Sequence, residues 1–196
     1  DIVLGFAIGF FLARTKLKGR QVLDLLAMLP LAIPGIVVAF GYFSLFLNTP
    51  FDPRNNPMIL LVISYSIRRL PYLVRSTYSS FQQISESLEE ASYCMGATLM
   101  TTFRRITLPL VSPGLFAGGV LAFSFSVMEV SSSLILAIRE KHYPIAKVIY
   151  VLAGRITDGP YVACALGVLG MFLVGLSYYV ASKLVSRKIG EFFRIG

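Results

Sequence analysis

Charge is scarce in this chain: Asp, Glu, Lys and Arg make up 14% of its 196 residues, against 56% hydrophobic residues. With a mean hydropathy of +0.73, too little polar surface is left to wrap a soluble domain of this length, so an integral membrane protein is expected. Cysteine is equally sparse. Cys94 lies in a polar segment and Cys164 in an apolar run, a placement that favours neither a disulfide nor a metal site. The single histidine, His142, has no partner at ligand spacing. No glycine-rich phosphate loop occurs, so the chain is not expected to hydrolyse ATP itself. Nor is there a nucleophile–base set or a metal cluster, and an enzyme is not expected. No signal peptide is visible. The chain starts at Asp1 inside an apolar run, which suggests a truncated N-terminus or one half of a larger protein.

What charge there is leans basic, with 18 Lys and Arg to 10 Asp and Glu. The basic residues sit between apolar runs, with no groove of interleaved aromatics, so membrane topology explains them better than nucleic acid does. Five apolar stretches are expected as spans: residues 2–13 (the end of a span whose start is missing), 22–47, 58–82, 110–137 and 161–184. The second is interrupted by Pro30 and by Pro34-Gly35, which predicts a kink or break whose freed carbonyls need partners. Gly114, Gly118 and Gly119 give the fourth a small-residue face for close helix packing. Residues 145–152 are apolar but too short to span, and fit a re-entrant or interfacial helix on the outer side.

Sidedness follows from counting. Arg14, Lys16, Lys18, Arg20, Arg75, Arg104, Arg105, Lys183, Arg187, Lys188 and Arg194 fall on one face. Arg54, Arg139, Lys141, Lys147 and Arg155 fall on the other. The bias makes the first face, with the C-terminus, cytoplasmic.

Two sets of ionisable residues remain inside the spans. Arg68 and Arg69 lie about ten residues into the third, where a charge is expensive unless it pairs, snorkels or faces water. An inner vestibule that attracts anions, a structural ion pair and an early helix exit are all open for them. Glu129, followed by Ser131, Ser132 and Ser133, interrupts the fourth span. Counted at ~1.5 Å per residue from Pro109, it falls in the outer half of the bilayer, so a pair with Arg68 requires both side chains to reach across that depth. Lining a path and a structural hydrogen-bonding role are both open. The path candidates are therefore Glu129, Ser131, Ser132, Arg68 and Arg69.

Between the third and fourth spans, residues 90–109 read EASYCMGATLMTTFRRITLP, a polar island. Ser87 and Glu90 have the spacing of a capping box, and Glu89 and Glu90 suit a helix N-terminus. Gly96 is a natural left-handed C-cap. A second short helix is expected from Thr98 to Ile106, with Pro109 opening the next span.

Glu90, Ala91, Gly96, Ile106, Leu108 and Pro109 fall at the spacing E-A-small-x3-G-x9-I-x-L-P, with Ser92 at the small position. This resembles the cytoplasmic coupling loop of the membrane subunits of binding-protein-dependent ATP-binding-cassette importers. LPLAIPG, SIRRLPYLVRS and MEVSSSLILA are similar to segments of ferric-iron-type permeases and their phosphonate, polyamine and sugar-phosphate relatives. The resemblance covers nearly the whole chain. It implies an all-α polytopic bundle of about five transmembrane helices, a single permease domain over 1–196 with its coupling loop at 86–109, in a bacterial inner membrane. It also implies two copies of a cytoplasmic ATP-binding subunit, which would bind the ATP, and an external substrate-binding protein. A second permease unit, as a fused half or a second copy, would complete the pore. The coupling residues would be Glu90, Ala91, Gly96, Ile106, Leu108 and Pro109, and transport would be inward by ATP-driven alternating access. Ferric iron or an anionic or chelated solute is the expected cargo. An ion-gradient-driven transporter or channel, with Glu129 as its carboxylate, and a membrane scaffold without a path are the alternatives.

Overall fold

A computed structural model describes residues 1–15 and 18–193, with side chains described to Lys183 at the C-terminal end. Lys16 and Arg194 of the predicted cytoplasmic charges lie outside the described residues, as do the side chains of Arg187 and Lys188. The described residues are helical with no strand. The helices are α1 (Ile2–Arg14), α2 (Arg20–Ala32), α3 (Gly35–Phe46), α4 (Met58–Gln82), α5 (Glu86–Cys94) and α6 (Leu99–Thr102). A π-helical segment (Phe103–Thr107) joins α6 to α7 (Leu108–Val127); α8 (Ser131–Leu136), α9 (Ile145–Ala153) and α10 (Gly159–Phe193) follow.

By length and apolarity, the helix Leu99–Val127 and the segment Gly159–Lys183 can cross a membrane, and α2 with α3 makes a third candidate, bent by 94°. The bend falls at Pro34-Gly35, as the prolines predict. Proline supplies no N–H and its ring obstructs the preceding turn, so the helix stops at Ala32 and restarts at Gly35. At 25 residues α4 is long enough to span, but Arg68, Arg69 and Arg75 lower its apolarity. With 13 residues α1 is short.

Three expectations change. The predicted span 110–137 is broken: α7 ends at Val127 and α8 begins at Ser131, so Glu129 sits in the break. The second island helix is continuous with the next span instead of separate from it. The π turn explains this, since Leu108 N–H bonds back to Phe103 O and the widened backbone makes room for Pro109. Lastly, the cap of α5 is Ser85, whose hydroxyl accepts from Ser87 N–H, and not a Ser87–Glu90 box. The helix starts at Glu86, which leaves Ser87 inside the first turn and puts Glu86 and Glu89 there as its acids.

The chain packs as two compact units. The first comprises residues 1–27, 70–122 and 180–196. Its packing uses glycine for close approach. A Cβ on Gly5 of α1 would stand 2.5 Å from Leu73 Cβ, and one on Gly118 of α7 would stand 2.7 Å from Ser76 Cβ. The face of α4 is thus gripped by α1 and α7 at backbone range, as the small-residue pattern of α7 predicts. Gly119 is looser, with Ile2 Cδ1 4.0 Å from its would-be Cβ. Phe81, fully buried, meets Phe6 and Phe10 with ring centroids 5.8 and 5.6 Å away, and Phe6 meets Phe103 at 5.8 Å.

The second unit comprises residues 28–69 and 123–179. Ala39, Leu60, Leu61, Leu136 and Ala137 form its core, with Tyr42, Phe43, Phe46 and Tyr65 packed around them. In the 47–57 connector, Asp52 accepts hydrogen bonds from Asn48 N–H and from the backbone and guanidinium of Arg54. The Arg54 side chain holds its carboxyl well below the usual carboxylate range.

Candidate functional site

The polar island lies wholly in the first unit. Helix α5 ends in a full glycine cap: Gly96 N–H bonds to Tyr93 O at 2.9 Å and Ala97 N–H to Ser92 O at 3.1 Å. Gly96 has φ +82, a conformation that a side chain makes costly, although a Cβ there would meet nothing within 4 Å. Its requirement is therefore conformational and not one of space. Thr98 caps the next helix through Thr101 N–H. Ser92 and Thr102, both buried, share a hydrogen bond of 2.9 Å that ties α5 to α6. The small residue at position 92 is thus an internal fastener.

The fastener turns apolar side chains outward. Met95 is 83% exposed, Leu99 75% and Met100 59%. Glu90, Ala91, Gly96 and Leu108 are exposed, and Ile106 and Pro109 half-buried. An open cleft of about 510 Å³ is lined by Glu86, Glu89, Glu90, Tyr93, Leu99, Met100, Phe103 and Thr107, with Phe10 and Arg14 of α1. Internal hydrogen bonds thus hold the loop rigid while methionine and leucine stay uncovered, and an exposed apolar patch of this kind marks a protein or membrane interaction site.

Arg68, Arg69 and Glu129 lie together in the second unit. Arg69 Nη2 pairs with Glu129 Oε2 and also donates to Phe125 O at 2.9 Å. Arg68 Nε is 3.7 Å from the same Oε2, and Arg68 Nη1 donates to Ile33 O at 3.1 Å. That carbonyl is one of those freed by the break before Gly35, and Gly35 lacks a Cβ where one would stand 2.7 Å from the Arg68 guanidinium carbon. A broken helix needing a donor and a buried arginine needing an acceptor satisfy each other. Both arginines thus form an ion pair with Glu129, with Arg69 as the principal partner. The helix breaks after Val127, so Glu129 does not lie at the depth that an unbroken rise from Pro109 would give it.

The serines belong to the same architecture. Ser132 N–H points at Glu129 Oε1 (3.4 Å), and Ser132 Oγ accepts from Ser64 Oγ at 2.9 Å. Ser131 is half-buried. At the other end of α8, the buried Lys147 donates to Ser133 O, Leu134 O and Ala137 O at 2.9, 3.1 and 2.6 Å. An acid at its N-terminal end and a cation at its C-terminal end complement the dipole of α8. In the sequence, Lys147 and Arg14 stand out only as topology charges. Each makes its contacts in the folded chain, and neither has a local signal. Among the described residues no group of His, Cys, Asp and Glu is placed to hold a metal ion.

Comparison with known proteins supplies the family. A family model described as "Binding-protein-dependent transport system inner membrane component" matches residues 5–191. The chain is 30% identical to the sulfate transport system permease protein of Salmonella typhimurium, over 69% of this chain and 52% of that one. It is 30% identical to the ferric transport system permease protein of Actinobacillus pleuropneumoniae, over 84% of this chain and 23% of that one. It is 25% identical to the molybdate/tungstate permease protein of Methanocaldococcus jannaschii, over 97% of this chain and 76% of that one. The chain thus spans about half the length of the sulfate relative and less of the ferric one. Among solved structures, a chain of the inward-facing MetNI methionine ABC transporter has the same fold, with TM-score 0.73 and 21% identity, over 95% of this chain and 87% of that one.

Proposed function

Because this chain belongs to the family of inner membrane components of binding-protein-dependent transport systems, we propose that it is the membrane-spanning subunit of an ATP-binding-cassette importer. It moves a small solute inward by alternating access. Its partners are two cytoplasmic ATP-binding subunits, a second permease unit and an external substrate-binding protein. The island and the C-terminus face the cytoplasm. In this reading Glu90, Ala91, Gly96, Ile106, Leu108 and Pro109 belong to the surface on which an ATP-binding subunit docks. ATP-driven closure of the ATPase pair moves that surface, and the helices carry the movement to the gate.

The observation that supports this reading best is the island itself. Two short helices are locked by a glycine cap and the Ser92–Thr102 bond, with Met95, Leu99 and Met100 held out to solvent. A gradient-driven transporter finds less support: Glu129, its candidate carboxylate, is 6% exposed and held by Arg69.

For the cargo, we infer an anionic solute or an anion-chelated ferric ion. Arg68 and Arg69 set two cations against the one carboxylate of Glu129, which leaves the cluster positive. Arg69 and Glu129 serve as its fixed pair, and Arg68 and Ser131, less covered, border the path. The sulfate, molybdate/tungstate and ferric relatives are in keeping with such a cargo.

Cys94, exposed on α5, offers a direct test of docking. In membranes of the source organism, a cysteine-directed photocrosslinker at Cys94 should capture an ATP-binding protein. Capture of no ATP-binding protein, with the chain intact in the membrane, would overturn the docking assignment.

A further inference from the structure

Helix α5 is joined through the chain to α4 by the short link 83–85 and to α6 by 95–98. Helix α1 has no such covalent tie, yet its last residue reaches α5. Arg14 Nη1 donates to Glu86 Oε1 at 3.2 Å and Nη2 to Ile84 O at 3.1 Å, while Nε lies 3.7 Å from Glu89 Oε2. The guanidinium stands over the buried Phe81 ring, 5.4 Å from its centroid. Arg14 and Glu89 are 10% and 17% exposed at their side chains, whereas Glu86 is 69% exposed. Water and salt therefore screen the Glu86 contact and leave Glu89 as the persistent partner.

Glu89 divides its two oxygens between two helices. While Oε2 faces Arg14, Oε1 accepts from Thr107 Oγ1 at 2.8 Å. Thr107 is buried and closes the π segment at the head of α7, and a π turn within a helix frequently marks a functional site. One carboxylate on α5 thus makes direct contact with both α1 and the π segment at the head of α7. The buried Arg14 Nε–H has no hydrogen-bond acceptor, so a shift of α5 by less than 1 Å toward α1 would give it one.

Resting on the reading of the island as a coupling loop, we propose that Arg14, Glu89 and Thr107 form a relay that carries displacement of α5 into α1 and α7. The three are positioning residues: they touch neither ATP nor solute. The relay adds a route to α1 besides the one through the packing of α4 against it.

The test uses the assembled complex in nanodiscs, with Cys164 replaced by serine so that one native cysteine remains. One preparation carries a fluorescent label on Cys94 of α5. A second carries C94S and L4C and is labelled on α1, where Leu4 is exposed. Trapping with ATP and vanadate is expected to shift both signals in the otherwise native protein. In R14A the Cys94 shift should persist while the Leu4 shift falls to its nucleotide-free level. T107V should keep the Leu4 shift, and R14K, which keeps the ion pair, should restore part of what R14A loses. An undiminished Leu4 shift in R14A, with the Cys94 shift intact, would overturn the relay. No Cys94 shift in the native protein would instead overturn the coupling reading on which the relay rests.

Discussion

At the scale of single residues, the groups that matter are charges taken out of water and paired. Glu129 holds Arg69 in a buried pair and orients Ser132 N–H. Removing one partner of such a pair costs about 3–5 kcal/mol, because the other charge is left buried and unmatched. Glu129→Ala should therefore lower the thermal midpoint in detergent markedly, and Arg69→Met together with Glu129→Leu should recover much of the loss. A midpoint unchanged in the single variant would contradict the pairing. Asp52 gives a pH dependence in the 47–57 connector. Its folded-state pKa is depressed by Arg54, so the stability it contributes is present above the ordinary aspartate value of about 3.9 and is lost as pH falls below it. Amide exchange at Asn48 and Arg54, whose N–H groups bond to Asp52, should accelerate below that pH in the native chain. In Asp52→Asn the acceleration should be absent.

At the scale of elements, glycine and proline made the fold legible and long-range contacts did not. The break at Pro34-Gly35 and the cap at Gly96 could be read from sequence because each follows from the backbone chemistry of its own residues. The end of α7 could not: Met128-Glu129-Val130 contains neither proline nor glycine, and the break there is held by Arg69 and Ser64 from α4. Arg14 illustrates the same limit. Its partner Glu86 is 72 residues away in the chain, and nothing near Arg14 announces it. Two substitutions test the element-level account. Gly96→Val places a β-branched residue at φ +82, at a cost of about 1–2 kcal/mol. Transport should be lost while the chain still inserts in the membrane; normal transport would sink the coupling role of the cap. Gly118→Leu inserts a side chain where a Cβ already stands 2.7 Å from Ser76 Cβ. Overpacking of this kind costs about 1–3 kcal/mol, read as a lower thermal midpoint. The same change at Gly170 on α10, where a Cβ meets nothing within 4 Å, should leave the midpoint near its native value.

At the scale of the whole molecule, the chain packs as two compact units. The first contains the island, its rigid glycine cap and the aromatic support under Arg14; the second contains the broken helix, the Arg68–Arg69–Glu129 cluster and α8 held at both ends by charge. On the proposed reading, energy handling and solute handling would fall to different sets of residues. The most direct measurement is uptake into vesicles containing the complete complex, given its external binding protein and labelled sulfate, molybdate or chelated ferric ion. ATP supplied on the island side should drive accumulation of one of these solutes without an imposed ion gradient. Accumulation driven by a proton or sodium gradient in the absence of ATP would contradict the account.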